Sequence, residues 1–256
     1  TGIEKITARI QADAQQEIDA VLAEANRQAA EINARYAAQA RALARAIDAY
    51  FGGEVGGYDT YRYYAGNTLL RSWICMPLIA GLQNRSEGTV RALLGKELMT
   101  ENGLLTEQGS STFWDRSTLY ALRGIYIAGQ ADRATEFLSH YARRRLLGDH
   151  VPYPIEAWPE GSQRHLAAES GLFCRVITEG LFGIRPTGFR SFDLTPSMPS
   201  GWNRMALRHI RAFENNFDLV IEKQPDGFLR VTLAISGCNP RAFRLRQGAS
   251  LRIKLP

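Results

Sequence analysis

Lysine is almost missing from this chain. Of 31 basic residues only 4 are lysine and the other 27 are arginine, set against 26 acids scattered along the sequence for a formal charge of +5. A nucleic-acid footprint needs cations gathered on one face. The one dense run, Arg143-Arg144-Arg145, falls near the end of an expected helix, where cations suit the dipole, so nucleic acid is not an expected partner. Cysteine is scarce too: Cys75, Cys174 and Cys238 lie far apart without a CxxC spacing, which excludes a disulfide framework and a zinc site. No His/Asp/Glu spacing suggests another metal, no glycine loop is built to hold phosphate, and no Ser or Cys has the setting of a nucleophile. Neither a metal nor a cofactor is expected. No apolar stretch approaches the ~20 residues of a membrane helix, and the first residues lack the basic-then-apolar order of a signal peptide. The expectation is a cytoplasmic protein without membrane insertion.

What is present changes character near residue 50. Residues 1–50 hold sixteen alanines and two aromatics, Tyr36 and Tyr50, whereas every Trp and every Phe comes later. Between lies Phe51-Gly52-Gly53-Glu54-Val55-Gly56-Gly57, whose four glycines a helix would tolerate poorly. Four parts are expected: a long amphipathic helix (1–50), a glycine-rich linker (51–57), a helical-hairpin domain (58–190) and an antiparallel β unit (191–256). In the first part, apolar or small residues recur at 3, 7, 10, 14, 18, 21, 25, 29, 32, 36, 40, 43 and 47, with Thr7 the one polar member. The mean step is about 3.67 residues, an eleven-residue repeat that predicts a nearly straight or slightly right-handed coil with a partner helix along residues 3–47. An amphipathic helix folded back on its own chain fits the same pattern.

The stretch "TGIEKITARIQADAQQEIDAVLAEANRQAAEINARYAAQA" resembles the N-terminal helix of the E-type peripheral-stalk subunits found in the V-type/A-type rotary ATPases. The resemblance covers about the first 45 residues and implies a pairing helix. The further stalk helix and small α/β head of those stalk proteins do not follow.

Beyond the seam, helical spacing returns in pairs. Tyr63–Leu82 (Leu69, Leu70, Trp73, Ile74, Leu78, Ile79) with Ser86–Met99 reads as one hairpin. Asp115–Gly129 with Asp132–Leu147 reads as a second, and Leu166–Phe182 begins a third. Two irregular connectors of about fifteen residues run between them, Thr100–Trp114 and Gly148–Arg164, and loops of that length in a compact domain are commonly functional. From Ser191 alternating patterns predict strands at 192–194, 205–213, 217–222, 228–235 and 251–255.

This order, with "EGLFGIRP" (179–186) and Leu194-Thr195-Pro196 at the passage from helices to strands, resembles the C-terminal part of a bacterial six-hairpin glycosidase of α-rhamnosidase-like type, over residues 57–256. The fold implied is mainly α with a β tail: about three hairpins of an incomplete (α/α)6 toroid, then a small antiparallel β-sandwich-like unit. The activity implied is inverting hydrolysis of a glycoside by loop carboxylates. The family's N-terminal β domain and first hairpins are absent, so an inactive fragment, or an artificial junction of two unrelated pieces, is an alternative. A stalk-like structural protein is another.

Cleaving a glycosidic bond takes one carboxylic acid to protonate the leaving oxygen and one carboxylate to activate water or attack. Glu160, between Pro159 and Gly161, is the first candidate for the base and Glu156 its rival. Asp115 is the candidate for the second carboxylate, although an acid at the start of a helix also serves as a cap. Trp158, Trp114 and Tyr153 could stack on sugar faces, and Gln163, Arg164, His165 and Glu169 could bind hydroxyls. The expected partner is therefore a carbohydrate substrate.

Overall fold

The structure is a computed structural model that describes residues 2–147, 153–155, 157–158 and 167–256. Two compact units divide the chain at residues 50 and 51. The first is a single helix, α1 (Gly2–Phe51), none of whose residues is buried. Alanine favours the helical backbone outright, and the polar faces add pairs at helical spacing: Arg27 bonds Glu24 at 2.7 Å and Glu31 at 2.5 Å, and Gln15 bonds Asp19 at 2.8 Å. No helix among the described residues is long and apolar enough to cross a membrane.

The second unit opens with a β-hairpin, β1 (Gly52–Val55) against β2 (Tyr58–Tyr61), where a linker was expected. Gly56 and Gly57 sit at φ +59° and +81°, a pair of left-handed residues that closes a two-residue turn. A 3-10 turn (Ser72–Cys75) and two short helices, α2 (Met76–Ile79) and α3 (Ser86–Leu93), follow. Next comes a small antiparallel sheet in the order β3 (Met99–Thr100), β4 (Gly103–Leu105), β5 (Phe113–Trp114), β6 (Ala157–Trp158). Helix α4 (Asp115–Ile127) is the hub of this unit. It packs against α2, α5 (Ala131–Leu146), α6 (Ala167–Arg175) and the turns around them, and it is buried on nearly every side, Ser117, Leu119, Leu122 and Ile125 included. A helix apolar on one stripe covers a core, whereas one enclosed all round is the core.

The C-terminal residues form two antiparallel sheets. One has the order β12 (Arg241–Arg246), β11 (Phe228–Ile235), β10 (Asn215–Lys223), β9 (Arg204–Ala212). The other has the order β13 (Leu251–Lys254), β8 (Ser191–Leu194), β7 (Ile184–Gly188). Leu219 pairs Leu233 and Ile221 pairs Val231, all four buried, while Val220 and Thr232 alternate to the other face. Phe192 of β8 stacks on Phe213 and on Phe217 of β10, with centroids 5.6 and 5.9 Å apart, so the sheets share one apolar layer. A bulge at Arg208-His209 puts His209 at φ 56°, and Asp218 secures it by accepting from the His209 N–H at 2.7 Å.

The expected fold is overturned. The described residues are about 46% helix and 26% strand, with a long first helix and several antiparallel sheets, not three hairpins of a toroid with a β tail. Of the three helix pairs expected, α4 with α5 is one. The segment 63–82 holds only the 3-10 turn and α2: Gly66 and Gly81 at φ near +83° bound it, Arg71 within it is extended at φ −130° and ψ 143° and bridges Glu107, and Leu69 stays 45% exposed beside a fully buried Leu70. The segment 166–182 ends not as regular helix but in a π-turn, Val176–Leu181, in which the Phe182 N–H reaches back five residues to the Ile177 carbonyl at 2.9 Å. The connector 100–114 contributes three strands instead of a loop.

Candidate functional site

Strand β5 ends where α4 begins, and this junction organises the buried acids. Trp114 keeps its extended backbone in the sheet and Asp115 is the first helical residue. Instead of capping its own helix, the Asp115 side chain, 1% exposed, accepts from Arg145 Nε and Nη2 at 3.3 Å each and from the Ile155 N–H at 2.7 Å. A fully desolvated carboxylate thus holds a cation from α5 and the backbone just before Glu156. One turn into α6, Glu169 is wholly buried; its Oε1 accepts from Arg116 Nε at 2.6 Å, and its Oε2 has no hydrogen-bond partner among the described residues. The Tyr141 hydroxyl lies in the same setting, also buried and without a partner of hydrogen-bond geometry among the described residues. Burial, then the nearby Asp115 and Glu169 carboxylates, push its pKa well above the ordinary phenolic value.

Asp115 and Glu169 come together around Tyr141, Arg145 and Arg116. Trp114 is half-buried and meets Trp73 edge-on at 5.6 Å; Trp73 in turn tilts against Tyr120 at 5.9 Å, so this indole belongs to an aromatic cluster. Trp158 is placed by its backbone in β6 opposite Phe113, and Tyr153 is half-buried. Glu156, Glu160, Gln163, Arg164 and His165 lie outside the described residues. Sequence reasoning missed Arg145, Arg116 and Tyr141. For two of these a signal existed: Ala134, Phe137, Tyr141 and Arg145 follow at three- and four-residue steps, the buried face of α5. Arg145 therefore stands apart from its neighbours Arg143 and Arg144.

A second feature went unseen in the sequence. A cleft of about 770 Å3 lies between α2, the end of α4, the π-turn, strand β7 and the segment Thr195-Pro196-Ser197 that follows β8. On its wall Glu179, in the π-turn, takes Arg123 Nη1 at 2.9 Å and Arg175 Nε at 2.5 Å. Arg123 is 4% exposed, its Nε is buried without a hydrogen-bond partner among the described residues, and burial, partly countered by Glu179, draws its pKa below the usual guanidinium value. The Gly180 backbone lies close against Tyr126, where a Cβ would stand 3.1 Å from the ring. That contact fixes how near Glu179 comes to Arg123.

No group of three His, Cys, Asp or Glu among the described residues is placed to hold a metal ion. No protein-family model matches the chain, and no curated protein does either.

Proposed function

We propose that residues 51–256 act on a carbohydrate, hydrolysing a glycosidic bond. The observation that supports this reading is a buried acid, Asp115, bonded into the connector whose sequence carries Glu156 and Glu160. Asp115 ties the backbone at Ile155, one residue ahead of Glu156, and Glu169 holds a buried carboxylate oxygen with no partner among the described residues. In this reading Glu160, or Glu156, activates water on the connector. Glu169 is the carboxyl with hydrogen-bonding capacity to spare, and it handles the leaving-group proton. Asp115, already committed to Arg145 and the Ile155 N–H, is a positioning residue that fixes where the connector starts. Trp158, Trp114 and Tyr153 supply aromatic surface, and the protein works in the cytoplasm. The test is a panel of nitrophenyl glycosides with wild type, Glu160→Gln, Glu156→Gln and Glu169→Gln. Turnover of at least one glycoside, lowered at least ~100-fold by Glu169→Gln and by one of the connector substitutions, is expected. Turnover of none, or turnover indifferent to all three, overturns the reading.

A second reading concerns the first unit. The stripe along α1 remains in water, with Ile3 78%, Ile10 63%, Val21 64% and Leu43 62% exposed. This favours a structural role in which α1 pairs with another helix, as the helix of a peripheral stalk would.

A further inference from the structure

We infer that the helix paired with α1 is a second copy of α1, running antiparallel and centred on Ala29. The inference rests on the second reading above and names the partner. Three features of residues 3–47 agree on it.

The eleven stripe positions from Ile10 to Ile47 pair about Ala29: Ile10 with Ile47, Ala14 with Leu43, Ile18 with Ala40, Val21 with Tyr36 and Ala25 with Ile32, leaving Ala29 opposite itself and Ile3 and Thr7 beyond the overlap. Most of these pairs set a large side chain against a smaller one, the arrangement that lets two helices interdigitate. A parallel pair in register would instead set Tyr36 on Tyr36 and Ile32 on Ile32, then leave Ala14, Ala25 and Ala29 facing their equals. The seam would be too wide at some levels and hollow at others.

Charge is divided along the helix in the same sense. Residues 10–26 carry Asp13, Glu17, Asp19 and Glu24 and no base, whereas residues 32–47 carry Arg35, Arg41 and Arg45 and no acid. Antiparallel pairing lays the acidic half of each helix beside the basic half of the other. Parallel pairing would put like beside like.

The flanks agree as well. At an eleven-residue period Asp13, Glu24, Arg35 and Ala46 fall in one column. In an antiparallel pair the same column of both helices meets across the seam, so Glu24 of each faces Arg35 of the other, twice. Exposed stripe residues on a helix with none of its residues buried leave this face open to a partner.

The test uses the full chain in a Cys174→Ser, Cys238→Ser background, which removes the exposed thiols and keeps buried Cys75. Sedimentation equilibrium is expected to show a dimer that Leu43→Asp converts to monomer without loss of fold in residues 51–256. Under mild oxidation Ala14→Cys alone is expected to form no linked dimer, because the two thiols stand about 43 Å apart along the seam, while Ala14→Cys mixed with Leu43→Cys links. Glu24→Arg should weaken the dimer about tenfold, and adding Arg35→Glu should restore it, with the whole effect shrinking in high salt. Self-linkage of Ala14→Cys means a parallel pair and overturns the inference; failure of the double charge swap to restore affinity overturns the register. A monomeric chain that still binds a synthetic helix of eleven-residue Ile/Ala period overturns self-pairing alone. One that binds neither overturns the pairing-helix reading as well.

Discussion

Leu22 and Leu122 are the same residue on two helices of one chain, yet the first keeps 55% of its surface in water and the second none. The surroundings account for the difference. Helix α1 is stabilised by what lies within a few residues: alanine's low entropic cost and ion pairs one turn apart. Helix α4 is stabilised by its distant neighbours, since α2, α5, α6 and the π-turn all close on it. Local physics can hold a rod in water, but it does not decide what the rod is for. Enclosure on all sides does decide, because a buried charge must then find its partner among distant residues, as Asp115 does in Arg145 and Ile155.

That contrast can be broken by substitution, and the largest effect is expected at the enclosed ion pair. Arg145→Met leaves Asp115 buried without its cation and should cost about 3–5 kcal/mol in urea unfolding of residues 51–256. Leu122→Ala, which opens a void in the same helix, should cost about 3 kcal/mol. Alkali should act on the enclosed unit alone. Burial pushes the Cys75 thiol up to about 12, and Tyr141 is raised in the same direction. An unfolded thiol loses its proton near 9 while the folded one keeps it, so stability is intact below that pH and falls as pH climbs from 9 toward 12. By pH 10.5 the loss should reach about 2 kcal/mol, read as a lower urea midpoint than at pH 8. At the other extreme, Leu22→Ala should change the free energy of that same unfolding by less than ~0.5 kcal/mol. A larger shift would mean that α1 contributes to the stability of the second unit.

The same division governs what could be read from the sequence. The helical period of residues 3–47 was legible because a lone helix writes its geometry in consecutive letters. The alternation in Phe228–Ile235 was legible for the same reason, as β11 has one face in the core and the other half-open. The helix expected over residues 63–82 misled because apolar residues at helical steps say nothing about the backbone between them, and Arg71, among them, is extended at φ −130° and ψ 143°. At the site, Asp115 was visible as an acid at a helix start. Its role was not, because its partners Arg145 and Ile155 come from 30 and 40 residues away. The Arg123–Glu179 pairing, 56 residues apart, left no local trace at all.

The π-turn at Val176–Leu181 has one further consequence. It contains one residue more than a regular spiral of the same rise, so everything from Glu179 onward is swung by about 100° from where an α-helix would carry it. Loss of a single residue there would rotate Glu179 off both guanidiniums and leave buried Arg123 without its carboxylate. The cleft should therefore forgive exchanges of side chain more readily than any change in the number of residues that frame it.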